Sequence, residues 1–253
     1  MRRILSPASA MFREGARLLS EEPSITKPTP YAAVIAALSA GCRRRSEIAS
    51  ALGQPSTHIL SRLTEIGLIE QVDDALREKR SAFRIAEPVM RLHRLLIQRH
   101  EPALVAGSAG HVWAGAEDTV TSKIYGPHFA DLAREWCFDH AAPETLGGTA
   151  TNVRPGEIRC REHRTGHEAH IVVTETTSFP SGRVIAIGAA EGTMTSMDLP
   201  QLHRLEHLRG LLPDAKTKLL LFARAGFTPE LRDVAAGRSD VELIDLERLY
   251  FGG

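Results

Sequence analysis

The sequence predicts an α/β protein, α+β overall, in which a mainly helical N-terminal domain precedes a larger domain of strands and helices. Residues 30–100 place apolar side chains at helical spacing between glycine stops, and residues 116–253 alternate short apolar runs with amphipathic helices. The composition, 43% hydrophobic and 25% charged, is that of a globular protein. At 253 residues the chain is long enough for two domains.

Three features argue against a membrane protein, a secreted protein and a disulfide-rich protein. The longest uninterrupted apolar run, Tyr31–Leu38, is far shorter than the roughly 20 residues of a membrane helix, and so is Leu219–Ala223. No apolar segment follows the charged first residues, so the pattern of a secretory signal is missing. The three cysteines, Cys42, Cys137 and Cys160, are too widely spaced to indicate a disulfide framework. Together these features predict a reduced, cytoplasmic protein with no membrane partner.

The distribution of charge differs between the two halves of the chain. The formal net charge is zero, but residues 1–100 carry +6 and residues 101–253 carry −6. A basic half favours an anionic partner such as nucleic acid. The alternative is that the two halves complement each other within the molecule, and the sequence leaves both possibilities open.

The first domain is predicted to begin with three short helices and to end with a fourth over 89–100. Tyr31–Leu38 is apolar and rich in alanine, and Gly41 ends this helix. Ser46 is a favourable N-cap for a second helix over Glu47–Leu52. The third helix, Thr57–Ile66, has an apolar stripe at helical spacing, which directs its polar residues outward.

Two strands, over 68–72 and 82–85, follow the third helix and flank a charged loop. Helix, helix, turn, helix and hairpin is the order of a winged helix-turn-helix, in which the third helix enters the major groove and the hairpin loop reaches the DNA backbone. The candidate DNA-binding residues are Arg43, Arg44 and Arg45 before the second helix, Ser56, Thr57, His58, Ser61 and Arg62 on the third, and Arg77, Lys79 and Arg80 in the loop. Alternatively the domain docks a protein, and the arginine run is a solvated helix flank.

The predicted domain bounds follow from proline and glycine. They are 1–29 for a leader with one helix over 11–19, 30–100 for the winged helix-turn-helix, 101–115 for a linker of small residues, and 116–253 for the second domain. In the second domain we expect helices over 119–125, 127–140, 200–212 and 229–236, and strands over 157–163, 169–174, 183–188, 218–223 and 241–244.

Sequence motifs for phosphate binding and for a serine nucleophile are missing. No segment matches Gly-x-x-x-x-Gly-Lys-Ser/Thr, Gly-x-Gly-x-x-Gly or Gly-x-Ser-x-Gly. The sequence therefore predicts no nucleotide cofactor, and nucleotide hydrolysis by this chain alone is not expected.

The segment between Cys160 and His170 is rich in potential metal ligands. A two-residue turn at Thr165 and Gly166 would place His163 and His170 on one face of a hairpin and Cys160 on the other. Ligands on opposite faces cannot surround one tetrahedral ion. We therefore predict no metal site here.

A series of short phrases, in a characteristic order along most of the chain, carries a resemblance to a known family. In residues 1–100 the phrases that carry the resemblance are Leu5-Ser6-Pro7, Leu18-Leu19-Ser20-Glu21-Glu22, Pro30-Tyr31-Ala32-Ala33-Val34-Ile35, Glu47-Ile48-Ala49-Ser50-Ala51-Leu52-Gly53, Leu63-Thr64-Glu65-Ile66-Gly67-Leu68-Ile69 and Phe83-Arg84-Ile85-Ala86-Glu87-Pro88. In residues 110–253 they are Gly126-Pro127-His128-Phe129, Ala186-Ile187-Gly188, His203-Arg204-Leu205, Leu220-Leu221-Phe222, Gly226-Phe227-Thr228 and Asp245-Leu246-Glu247-Arg248-Leu249-Tyr250. With these phrases the chain resembles the archaeal-type ATP-binding proteins without their nucleotide-binding core, and the resemblance implies that the second domain has a restriction-endonuclease-like α/β fold.

The nuclease positions that this resemblance implies are altered. Ala130 stands where the family pattern has a helix glutamate, His170 where it has an acidic residue, and Ala189-Ala190-Glu191 where it has Glu-Ala-Lys. Without those carboxylates Mg²⁺ would lack ligands, and without the lysine the nucleophile would lack the group that positions it. The sequence thus predicts a non-catalytic DNA-binding or regulatory module in which a degenerate nuclease fold serves as scaffold or docking surface. The alternatives are a detached part of an ATPase that works with a separate nucleotide-binding subunit, and a residual metal-dependent nuclease in which Glu168, Glu175 and Glu191 regroup.

Overall fold

The computed structural model describes residues 3–77, 80–160, 162, 164–176 and 182–252. It is a mixed α/β structure with a two-stranded and a five-stranded sheet in the described part of the chain. The chain forms two compact units. Met1–Val72 and Ser81–Val120 form the first unit, and Asp73–Arg80 and Thr121–Gly253 form the second.

The first unit begins with helices and a hairpin in the predicted order. They are α1 (Ala10–Ser20), α2 (Pro28–Ala40), α3 (Arg45–Leu52), α4 (Thr57–Glu65), β1 (Ile69–Asp73) and β2 (Ser81–Ile85). Gly41 and Gly53 end α2 and α3 in the left-handed conformation, which favours glycine. Val34, Ile48 and Leu63 are fully buried in a core that these elements share.

The rest of the first unit is helical, including the segment predicted as a linker. It comprises α5 (Pro88–Leu92), a π-helical turn (His93–Ile97), α6 (Gln98–Val105) and α7 (Ala109–Val120). Residues 101–105 lie in α6 and residues 109–115 in α7, with a short turn at 106–108 between them, and Leu104 and Val112 are buried. The predicted leader also packs into this unit, because α1 contacts α5 and lies so close to His93 that a side chain at Gly15 would overlap it.

The second unit is built on the larger sheet. Its elements are a π-helical turn (Thr121–Tyr125), α8 (Gly126–Asp139), α9 (Pro143–Leu146), β3 (Asn152–Cys160), β4 (Thr165–Glu175), β5 (Arg183–Glu191), α10 (Leu199–Gly210), β6 (Lys218–Ala223), α11 (Pro229–Ala236), β7 (Val241–Ile244) and α12 (Leu246–Phe251). The strand order is β3-β4-β5-β6-β7 in the described residues. β3, β4 and β5 pair antiparallel, whereas β5, β6 and β7 pair parallel through the crossover helices α10 and α11.

Helices cover both faces of this sheet. On one face Leu202, Leu205 and Leu208 of α10 pack with residues of α11 and the strands. On the other face Trp136 of α8 meets Phe222 of β6 edge to face, with ring centroids 5.6 Å apart. The strands are therefore apolar on both sides, as expected for parallel strands between helices.

The helices of the described residues are all too short or too polar to cross a lipid bilayer.

An ion cluster joins α10 to the start of β7. The Asp240 carboxylate accepts hydrogen bonds from Arg238 (2.8 Å) and Arg209 (2.6 Å), and Arg238 also pairs with Glu206. These guanidinium groups, Arg238 first, hold the pKa of Asp240 well below its usual range. Because the pKa is lower in the folded state, the cluster stabilises the fold above the unfolded pKa of about 3.9 and loses this contribution as the pH falls.

Asp240→Asn is accordingly expected to lower the free energy of unfolding by about 1 kcal/mol at pH 7, a modest loss because the carboxylate is partly exposed. Thermal unfolding of both proteins between about pH 5 and pH 2 should show the difference shrinking. A difference that stays constant over this range would contradict the assignment.

Candidate functional site

Helix α4 is the centre of the predicted nucleic-acid surface. At about 100° of rotation per residue, Leu60 and Leu63 fall on one side of this helix, and both are buried in the core of the first unit. His58 and Ser61 fall on the side away from these leucines, Thr57 falls at the edge between the two sides, and all three are exposed. The apolar stripe thus orients α4 as the sequence predicts, with a polar face toward solvent.

Arg62 lies at the edge of this face and has a partner on the helix. Its guanidinium is 2.9 Å from the carboxylate of Glu65, one turn further along, and its side chain is 39% exposed. Glu65 itself lies between Ser61 and Arg62 in projection down the helix. The face therefore presents hydroxyls, an imidazole and one cation that is partly neutralised by Glu65.

Ser56 is the one residue of the predicted α4 set that the structure contradicts. It is the N-cap of the helix and is only 1% exposed, and its hydroxyl has no hydrogen-bond partner among the described residues. The reason is helical geometry, since a step of one residue back from Thr57 places Ser56 in the sector of Leu60 and Leu63. Ser56 cannot contact DNA in this conformation.

The arginine run before α3 lies on the surface of the same unit. Arg43, Arg44 and Arg45 are exposed. The main-chain N–H groups of Arg44 and Arg43 donate to the Glu47 carboxylate at 3.0 and 2.8 Å, which lowers the pKa of Glu47. Because this carboxylate caps the start of α3, it holds the run in a defined conformation.

A groove connects the arginine run with α4. It has a volume of about 290 Å³ and is lined by Arg45, Thr57, Leu60, Ser61, Thr64, Glu65, Gln71 and Phe83. The Arg45 guanidinium lies 5.9 Å from the centre of the Phe83 ring, in cation–π range. We call this region, with the exposed residues of α4 and the arginine run, the α4 surface.

The hairpin loop differs from the prediction of exposed cations. Arg77 and Arg80 both pair with the carboxylate of Glu157 on β3, at 3.1 and 2.5 Å, and their side chains are only 19% and 23% exposed. The Ala75 N–H donates to the carbonyl of Pro155, and Leu76 packs against the core of the second unit. Lys79 lies outside the described residues. The loop is thus held on β3, and its two described arginines are engaged by a carboxylate.

The positions that the family resemblance would align with a nuclease site hold few oxygen ligands. Ala130 is 7% exposed in the core under the sheet. The His170 Nδ1 atom accepts a hydrogen bond from the Ala190 N–H at 3.0 Å, and burial lowers the pKa of this imidazole. Burial and the charge of Asp198 raise the pKa of Glu191. These half-buried surroundings disfavour the charged form of the Glu191 carboxyl group.

The β3–β4 hairpin turns at a different place from the one predicted. Cys160 pairs with Thr165, so β4 already begins at Thr165. Thr165 and Gly166 therefore belong to the strand, and the predicted two-residue turn is wrong. In the observed register Cys160 and His167 share a face, and His207 of α10 approaches both. His163 lies outside the described residues.

The sequence does not predict this group of three side chains. His207 is 47 residues from Cys160, and no local pattern indicates that α10 returns to the hairpin. The available signal was the register of β4, which the turn-like Thr165-Gly166 dipeptide obscured.

No match to this chain was found among protein-family models, curated proteins or solved structures.

Proposed function

We propose that this protein is a non-catalytic DNA-binding module, in which residues 28–85 form a winged helix-turn-helix that reads DNA through α4. The observation that carries the proposal is the exposed polar face of α4 beside the arginine run, on elements in helix–helix–turn–helix–hairpin order. A helix with this orientation fits the major groove, where Thr57, His58 and Ser61 can meet base edges.

Phosphate contacts supply most of the affinity in this proposal. Arg43, Arg44, Arg45 and Arg62 outnumber the side chains suited to base recognition, once Ser56 is buried and the loop arginines are paired with Glu157. Binding driven by phosphates releases counterions, so the logarithm of the association constant falls with the logarithm of salt concentration by about 0.9 per phosphate neutralised.

Arg62→Ala is expected to weaken binding to random duplex DNA by roughly three- to tenfold and to reduce the salt slope by about 0.9. Fluorescence anisotropy of a labelled duplex, repeated at several salt concentrations, measures both quantities. Arg99→Ala is the matched control, because Arg99 is an exposed arginine of the same unit on α6, outside the α4 surface. Equal loss in the two variants, or wild-type binding that ignores salt, would remove α4 as the DNA-reading element.

We further propose that the second unit is a nuclease-like scaffold without nuclease activity. Two alanines and an imidazole supply no carboxylate at the aligned positions, and the half-buried Glu191, whose pKa is raised, cannot supply the positive charge of the lysine that the resemblance implies there. Arg134 donates to the main-chain carbonyl of His170 at 2.7 Å, which adds a cation near the same place. Such surroundings do not favour Mg²⁺.

Purified protein is expected to leave single- and double-stranded DNA and RNA intact in the presence of Mg²⁺ or Mn²⁺. Gel analysis after long incubation measures this directly. Cleavage that depends on the metal and disappears in Glu191→Ala or Glu168→Ala protein would contradict the proposal. Cleavage that persists in both variants would instead indicate a contaminating nuclease.

A further inference from the structure

Three metal-ligating side chains from separate elements of the second unit converge at one end of the β3–β4 hairpin. Cys160 is the last residue of β3, His167 is the third residue of β4, and His207 lies on α10. One ligand atom of each lies within 4.8 Å of those of the other two. The Cys160 Sγ and His207 Nε2 atoms are 3.5 Å apart, and the two imidazole rings stand nearly perpendicular with centroids 5.9 Å apart.

We propose that Cys160, His167 and His207 bind a Zn²⁺ ion. Zn–S and Zn–N bonds of about 2.3 and 2.05 Å at a tetrahedral angle place the sulfur and nitrogen roughly 3.6 Å apart. The observed 3.5 Å between Cys160 and His207 matches this edge of the tetrahedron. One thiolate and two imidazoles select zinc over Mg²⁺ or Ca²⁺, which prefer oxygen ligands.

The backbone holds these ligands in place before any metal arrives. Antiparallel pairing of Cys160 with Thr165 and of Ile158 with His167 fixes the first two side chains on one face of the hairpin. Leu205 and Leu208 bury the adjoining side of α10 in the core, and the Arg204 guanidinium donates to the main-chain carbonyl of Glu168 at 2.8 Å. This bond ties α10 to β4 within one turn of His207.

The exposure of the three side chains suits an open, three-ligand site. Cys160 is only 2% exposed, whereas both histidines are partly exposed, so an ion can enter from the histidine side. The fourth tetrahedral position then falls to water. A thiol–imidazole hydrogen bond alone would explain the Cys160–His207 distance but would not require His167 beside them.

A bound ion would tie the end of the hairpin to α10. Because the ion binds the folded chain, it stabilises that state in proportion to the logarithm of its free concentration above the dissociation constant. The inference does not rest on the proposed DNA binding, since all three ligands lie in the second unit.

The test uses the full chain, stripped of metal with a chelator and titrated with Co²⁺. We expect one equivalent of Co²⁺ to produce the near-ultraviolet charge-transfer band of a cobalt–thiolate bond, and Zn²⁺ to displace it. Loss of a ligand should lower Zn²⁺ affinity at least about a hundredfold, because outer-shell partners alone are worth about 10–100-fold. Cys160→Ser should abolish the band, and His207→Ala and His167→Ala should lower the affinity.

Matched controls come from the same unit. Cys137→Ala removes a thiol that is equally buried but whose pKa burial raises to about 12, which makes it a poor ligand. His140→Ala removes an exposed histidine at the end of α8. Both variants should bind Co²⁺ as the wild type does. If Cys160→Ser does not fold, the two histidine variants, checked by circular dichroism, decide the question. A wild-type chain without the band, or affinity that survives the loss of either histidine, would overturn the proposal.

Discussion

Phe222→Ala is expected to lower the free energy of unfolding by about 3–5 kcal/mol, the usual cost of removing a buried phenyl ring. Phe222 lies on β6, between the parallel strands β5 and β7, and is fully buried. Its ring meets Trp136 edge to face, so the substitution removes an aromatic pair as well as apolar contact area. Since domains are stable by only about 5–15 kcal/mol, this loss is a large share of the total.

Urea unfolding followed by far-ultraviolet circular dichroism measures the effect. Phe251→Ala provides the control, because it makes the same chemical change at a ring that is 90% exposed on α12. We expect the control to remain within about 0.5 kcal/mol of the wild type. A similar loss in both variants would mean that Phe222 does not occupy the core position described above.

The order of elements in the second unit could be predicted where burial produces a strong local pattern. Strand β6 (218–223), which is apolar from Leu219 onward, has the predicted bounds, and so does the short β7 (241–244). Helix α11 begins and ends as expected at Pro229 and Ala236. Strands between two helical layers are apolar on both faces, and Pro229 lies at the first turn of a helix. Both signals are contained in a few neighbouring residues.

Elements whose structure depends on distant partners were harder to predict. Residues 101–115 have the small side chains of a linker, but Leu104 and Val112 are buried, so the segment is helical. The predicted turn at Thr165 and Gly166 was wrong. The register of the hairpin is determined by the pairing of the long strand β4 with β3, and the turn-forming tendency of two residues does not override it.

The same distinction applies to the candidate site. The periodicity of α4 correctly predicted that Thr57, His58 and Ser61 are exposed, because periodicity reports which side of a helix is buried. It did not reveal the partner of Arg77 and Arg80, because Glu157 lies 77 residues beyond Arg80. Whether the α4 surface binds DNA remains a prediction.

Replacing Glu157, the partner of Arg77 and Arg80, is expected to have a large effect on DNA binding. Under the proposed function, Glu157→Gln is expected to strengthen binding to random duplex DNA by roughly ten- to thirtyfold at low salt. The Glu157 carboxylate competes with phosphate for the guanidinium groups of Arg77 and Arg80, which it holds at 3.1 and 2.5 Å. Glutamine keeps the shape of the side chain and removes the charge, so two partly buried cations lose their counter-charge.

The salt dependence distinguishes released arginines from a general change in net charge. Each arginine that reaches a phosphate should steepen the slope by about 0.9, whereas one fewer negative charge at a distance changes mainly the association rate. Glu162→Gln is the matched control, because Glu162 is an exposed carboxylate in the connection of the same hairpin. Anisotropy titrations of both variants at several salt concentrations provide the comparison. Equal slopes in the two variants would show that the loop arginines do not contact DNA, and binding would then rest on the α4 surface alone.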